Sequence, residues 1–115
     1  MHRDKACLHD VIASMRIVAG YIADKSYSSF IQDQACVDAV IRRLEIIGEA
    51  TKRLSSELRN GHPDIPWQKM TGMRDRLIHG YDDVDLETVY NAVRNVIPLL
   101  VPQLEVILSS LPDPT

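Results

Sequence analysis

Cysteine is scarce: Cys7 and Cys36 are the two thiols in 115 residues. A disulfide-stapled secreted fold needs closely paired cysteines, so the expectation is two reduced, buried thiols. His2, His9, His62 and His79 are scattered, and none stands at ligand spacing from another. No metal site and no cofactor are therefore expected. No apolar run approaches the roughly 18 residues that mark a membrane-crossing helix. The N-terminus is charged with no long apolar stretch behind it, so no signal peptide is expected. These readings point to the cytoplasm and to no membrane partner. Glycine and proline are confined to a few places, strand-like alternation is absent, and there is no internal repeat. The formal net charge of -3 argues against a general nucleic-acid sponge, which would need an excess of Lys and Arg to release counterions. A local basic cleft on an acidic body remains compatible with it.

What is present is ordinary globular composition, 45% apolar and 25% charged. The length suits one domain over residues 1–115. At this size the surface stays large relative to the core, so self-association is a natural way to cover apolar area.

The periodicity is helical almost throughout, which predicts an all-α, up-and-down bundle of four to five helices. A first helix is expected over about residues 4–25, with Leu8, Val11, Ile12, Met15, Val18, Ala19 and Ile22 on one stripe. Residues 26–33 read as a connector with Phe30 and Ile31 tucked in. A second helix is expected over about 33–60, its seam running Val37, Val40, Leu44, Ile47, Thr51, Leu54, Leu58 and its stop at Asn60-Gly61. A third runs over about 67–79, with Pro66 at its first turn and Gly80 as terminator. Asp82, Asp83 and Asp85 crowd the start of a fourth helix, where carboxylates cap free amides. Pro98 and Pro102 lie inside that helix and predict a kink or break near residue 98. The tail from Leu111 to Thr115 is expected to fray.

The unusual stretch is Met73-Arg74-Asp75-Arg76-Leu77-Ile78-His79-Gly80-Tyr81-Asp82. Trp67, Met70, Met73 and Leu77 define the core face of its helix. At about 100° per residue, Arg74 lies about 40° from that face and His79 roughly opposite it. A half-buried guanidinium needs a carboxylate, and Glu45 and Glu49, one turn apart on the second helix, are the candidate ion-pair partners. Asp75 is four residues before His79 and is placed to orient the imidazole. These features alone leave two readings open. One is an Asp-His pair capping a helix beside an Arg-Glu bridge between helices. The other is a functional site.

Arg74-x-x-x-x-His79-x-Tyr81 is similar to the Arg-x(4–6)-His signature of HEPN domains, in the tyrosine-bearing form of the HepT-like family. Arg43 to Leu54 resembles that family's LEIIGEA-x-KRLS segment. Pro63 to Trp67 resembles its P-x-IPW turn, and Met73 to Tyr81 its MRN/D-x-L-I-HGY block. The resemblance covers most of the chain, with the blocks in the family's order.

The resemblance implies a homodimer in which signature helices from two chains line a shared cleft. It implies a metal-independent endoribonuclease, the toxin of a toxin–antitoxin pair, with His79 as general acid or base on a ribose 2'-hydroxyl. Arg74 would hold the scissile phosphate, and Asp75 would position His79. Tyr81 matches the position that a partner nucleotidyltransferase antitoxin modifies with AMP. Elementary chemistry agrees with these roles: imidazole titrates near neutrality, and guanidinium binds phosphate through two hydrogen bonds. An AMP adduct would add charge and bulk on an RNA path.

Arg76 and Lys69 are the expected supporting RNA contacts, with Arg42, Lys52 or Arg53 as further candidates from a neighbouring helix or chain. On a straight helix Arg74 and His79 diverge by about 140°, so they meet on one phosphate only if the helix unwinds or two chains combine. The alternative is a non-catalytic helical partner, or a substrate- or nucleotide-binding subunit, of a minimal nucleotidyltransferase. A plain structural dimer is a third possibility.

Overall fold

Four helical rods and two single-turn helices make up the chain in the computed structural model, which describes residues 2–79 and 85–113. They are α1 (His2–Tyr21), α2 (Tyr27–Gln32), α3 (Gln34–Lys52), α4 (Ser56–Gly61), α5 (Trp67–Ile78), α6 (Leu86–Asn91), a π-helical turn (Ala92–Val96) and α7 (Ile97–Ser110). The last three form one continuous rod. α1 packs against α3 on one side and α7 on the other, and α3 packs against α5. No strand occurs among the described residues, so the chain is all-α.

The core is built from the stripes that the periodicity marks. Leu8, Val11, Met15 and Val18 of α1 meet Val37, Val40, Leu44 and Ile47 of α3, all buried. Val89, Val93, Ile97, Leu100, Leu104 and Ile107 supply the matching stripe of the last rod. The helical run over residues 86–110 is long and apolar enough to cross a membrane by length and composition. A count of consecutive apolar residues misses this. In the fold the run lays one stripe on α1 and leaves Val96, Leu99 and Val106 exposed on its other side.

Several sequence expectations are corrected. α1 ends at Tyr21 rather than near residue 25. The Arg94 guanidinium reaches back to the carbonyls of Ile22 and Ala23 at 3.3 and 3.2 Å and serves the groups that a longer helix would use. The connector holds a true helix, α2, capped by the Ser26 hydroxyl, which accepts from the Ser29 amide at 3.1 Å. Phe30 is buried as expected, but Ile31 is 40% exposed. The two cysteines are half-buried rather than buried. Burial still pushes the Cys36 thiol up from its ordinary value.

The second helix does not run to Asn60. α3 stops at Lys52, and α4 starts afresh with Ser55 as its cap. In an unbroken helix the Ser55 amide would bond to the Thr51 carbonyl. It donates instead to the buried carboxylate of Asp4 at 2.8 Å, and the Ser55 hydroxyl donates to the same group at 2.6 Å. Leu54 and Leu58 stay buried on either side of the break, so the apolar rhythm continues through it. The break expected near Pro98 appears as the π-helical turn just before it, where the Ile97 amide bonds to the Ala92 carbonyl five residues back. Proline has no amide for the usual bond, and a widened turn absorbs the mismatch. α7 ends at Ser110, where the tail was expected to begin, and beyond it Lys5 and Asp113 form an ion pair. Residues 114–115 lie outside the described residues, as do Gly80, Tyr81, Asp82 and Asp83.

Candidate active site on the fifth helix

α5 is anchored at its first residue. Trp67 is buried, and its indole N–H donates to the His62 carbonyl at 2.9 Å. Leu77 is buried near the other end, and Met70 and Met73 pack against the core between them. The face defined by the helical wheel is therefore the one the fold buries.

Arg74 lies where α5 crosses α3. Gly48 is buried in α3, and a Cβ on it would fall well inside contact distance of the Arg74 Cβ, 2.9 Å from the Arg74 Cγ and 3.0 Å from the Met70 carbonyl oxygen. The missing side chain lets the two helices approach at the root of the arginine. The Arg74 side chain is 26% exposed. Its Nε is buried without a hydrogen-bond partner, and its Nη1 donates to the Asp75 carboxylate at 3.1 Å. Lys52 of α3 donates to the same carboxylate oxygen at 2.5 Å. The Lys52 and Arg74 cations hold the Asp75 carboxyl below the ordinary aspartate range, Lys52 contributing most.

This arrangement corrects two expectations. Glu45 and Glu49 do not pair with Arg74. Glu45 accepts from Arg42 at 3.5 Å, and Glu49 accepts from Arg53 at 3.0 Å, both along α3 itself. The Gly48 crossing brings only the stem of Arg74 to α3, and the guanidinium turns to its neighbour. No hydrogen bond joins the Asp75 carboxylate to the His79 ring among the described residues; its Oδ1 is held by Lys52 and Arg74 instead. Asp75 reaches His79 only through the backbone, where the His79 amide bonds to the Asp75 carbonyl at 3.3 Å.

His79 ends α5 with φ -78° and ψ 0°, and its exposed imidazole has no hydrogen-bond partner among the described residues. α5 stays helical through Ile78, so Arg74 and His79 keep the divergent directions of a straight helix and do not meet within one chain. Tyr81 lies outside the described residues.

Arg76 is exposed and donates to the Met73 sulfur at 3.9 Å. Arg76 and Lys69 line one groove of about 630 Å³ whose floor includes Leu44, Met70, Met73 and Leu100. Of the further basic candidates, Lys52 joins Arg74 through Asp75. Arg42 and Arg53 are engaged by α3 carboxylates. Gly48 is the residue that sequence reasoning did not assign to this site; Lys52, expected as a possible RNA contact, is instead the ion-pair partner of Asp75. A glycine inside a strong helix costs about 1 kcal/mol relative to alanine, and that local penalty was the available signal for a close helix crossing. Among the described residues no group of three or more His, Cys, Asp or Glu side chains is gathered as a metal cage.

Comparison with known proteins agrees with this arrangement of blocks. The family model described as "Ribonuclease HepT-like" matches residues 11–107. A protein of Methanocaldococcus jannaschii named "Putative RNase" is 38% identical over 109 residues, covering 95% of this chain and 94% of that one. "Probable ribonuclease HepT" of Thermococcus cleftensis is 37% identical over 99 residues, 86% of this chain and 88% of that one. A "Putative RNase" of Caldanaerobacter subterraneus is 33% identical over 108 residues, covering 94% and 96% of the two chains. No solved structure matches the chain. With the match extending from α1 to α7 and containing Gly48, Arg74 and His79, the chain belongs to the HepT-like ribonuclease family.

Proposed function

We propose that the protein is a metal-independent endoribonuclease that works as a homodimer, the toxin of a toxin–antitoxin pair. The observation that carries the reading is the divergence of two complementary groups on one helix. Arg74 is held half-buried by Asp75 and Lys52, while His79, five residues on, is exposed and without a hydrogen-bond partner among the described residues. One chain presents both groups but does not converge them, and a second copy laid along α5 supplies the missing partner.

In this reading His79 takes the proton from a ribose 2'-hydroxyl. The freed oxygen attacks the adjacent phosphorus, a new P–O bond forms, and the P–O5' bond breaks to leave a 2',3'-cyclic phosphate. The departing 5'-oxygen takes its proton from water, and the imidazolium returns its own to the hydroxide left behind, so each site needs one His79 and one Arg74. Arg74 stabilises the charge that builds on the phosphoryl oxygens. Asp75 and Lys52 act through Arg74 as positioning residues. Lys69 and Arg76 bind flanking phosphates.

The partner in this reading is a minimal nucleotidyltransferase that transfers AMP to the Tyr81 hydroxyl. The adduct would repel the RNA backbone and silence the nuclease. Family membership and the names borne by the relatives support the nuclease. The pairing and the modification rest on the Arg74-x4-His79-x-Tyr81 spacing.

The test is cleavage of a labelled RNA by purified protein in EDTA. Wild type cuts and leaves cyclic phosphate ends, while His79→Ala and Arg74→Ala do not. Equal cleavage by wild type and His79→Ala overturns the mechanism. No cleavage by wild type, with co-purification of the transferase, favours the non-catalytic partner. Co-expression with the transferase is expected to add one AMP to the Tyr81 peptide by mass spectrometry.

A further inference from the structure

The cations of this acidic chain are mostly accounted for. Lys5, Arg16, Lys25, Arg42, Lys52, Arg53 and Arg74 pair with carboxylates. Arg43 donates to the Ser14 hydroxyl, and Arg94 donates to backbone carbonyls. Apart from Arg3 at the start of α1, the cations left without an oxygen partner among the described residues are Arg59, Lys69 and Arg76. These three lie together along α4 and α5. Arg59 is half-buried, and its Nε is shut off from water with no partner, a costly state for a guanidinium unless a ligand anion offsets it.

Arg59 and Lys69 line a second cleft, of about 590 Å³, with Ser56, Asn60 and Gln68 as its other polar walls. Lys69 and Pro66 also line the apolar groove that Arg76 borders. The cleft and the groove therefore meet at Lys69 and form one furrow beside α5. Among the described residues neither is lined by a carboxylate, although the chain carries 16 of them; another cleft, on the α1–α3 side, is lined by Asp10 and Glu49.

We propose that this furrow, with Arg59, Lys69 and Arg76 on its phosphate-binding edge, carries the backbone of a single-stranded RNA to the α5 end that bears His79. The proposal rests on the nuclease reading above and gives its substrate class. An apolar floor beside a line of unpaired cations matches a strand whose bases are free to turn inward while its phosphates stay at the edge. A duplex hides its bases and would leave the partly exposed Met70 and Met73 uncovered.

The experiment measures fluorescence anisotropy of a labelled oligouridylate of about a dozen nucleotides, within the usual span of single-strand sites. It uses the full-length His79→Ala protein so that the RNA survives. Adding Arg59→Gln and Lys69→Gln is expected to raise Kd at least tenfold. It should also flatten the slope of log K against log salt by about 1.4, since each lost single-strand phosphate contact removes about 0.7. Arg3→Gln, a cation that lines neither the cleft nor the groove, is the charge control and should change neither value. A duplex of the same length should bind more weakly.

Unchanged Kd and slope in the double variant overturn the proposal. So does equal loss from Arg3→Gln, absence of any RNA binding, or equal affinity for duplex. A shift in sedimentation of the double variant without RNA overturns it in favour of a protein–protein interface. The nuclease reading is judged separately, by wild-type cleavage in EDTA. Cleavage with unaltered anisotropy removes the furrow alone, and altered anisotropy without cleavage removes the nuclease alone.

Discussion

Gly48 of α3 sits against the root of the Arg74 side chain of α5, so close that no β-carbon fits between them. Replacing it with alanine should gain about 1 kcal/mol of helix propensity. Overpacking against an arginine stem and a backbone carbonyl costs about 1–3 kcal/mol, and the second term wins. Gly48→Ala is expected to lower the unfolding free energy by up to about 2 kcal/mol in urea melts, and to reduce RNA cleavage because Arg74 moves. Gly20→Ala is the contrast: nothing lies within 4 Å of the added carbon, and a gain of up to about 1 kcal/mol is expected. Equal effects at the two positions would remove the close crossing as the reason for the glycine.

Asp4 ties α1 to the start of α4. Burial pushes its carboxyl up, but its favourable contacts, the two Ser55 hydrogen bonds foremost, leave it below the ordinary value of 3.8. A depressed folded-state pKa stabilises above the unfolded value, and the contribution disappears as pH falls through the folded one. Asp4→Ala should cost about 2 kcal/mol at neutral pH by leaving Ser55 unserved. It should also flatten the loss of stability as pH falls below the ordinary carboxylate value of 3.8. Urea midpoints measured across that range in both proteins provide the check.

Asp75 joins Lys52 to Arg74. Both ends are substantially exposed, so its removal should move the thermal midpoint little. Its effect belongs to function: Asp75→Ala is expected to lower kcat on RNA about tenfold, equivalent to about 1.4 kcal/mol of transition-state positioning. Lys52→Ala should give a smaller loss of the same kind, and Asp75→Glu should restore part of it. If Asp75 acted on the His79 ring instead, Lys52→Ala would leave kcat untouched.

Arg74 and His79 diverge within one chain, which makes the composite site testable by mixing. Arg74→Ala and His79→Ala proteins are each expected to be inactive. Unfolded together and refolded in equal amounts, half of the dimers pair one of each, and each such dimer holds one intact composite site. Recovery of about a quarter of wild-type cleavage is expected for a twofold assembly. Zero recovery would place both residues of each site on the same chain.

Much of this protein was legible without coordinates. The stripes through Leu8, Val11 and Met15, through Val40, Leu44 and Ile47, and through Leu100 and Leu104 are periodic, and burying such a stripe leaves a helix few alternatives. α5 was readable for the same reason, with Trp67 and Leu77 buried and His79 at its exposed end. The spacing of Arg74 and His79 on that helix is a local property, and it was enough to predict their divergence.

Contacts between distant parts of the chain were decided only by the tertiary structure. The break before α4 depends on Asp4, 51 residues away from Ser55, while the apolar rhythm passes through the break unchanged. The partner of Arg74 turned on how closely Gly48 lets two helices approach, which moved the guanidinium off Glu45 and Glu49 and onto Asp75. The gathering of Arg59, Lys69 and Arg76 along one furrow has no sequence pattern, because it arises where two helices meet at a corner. Periodicity reports which face of a helix is apolar. Which polar groups then find each other depends on where the packed helices end and how near they come.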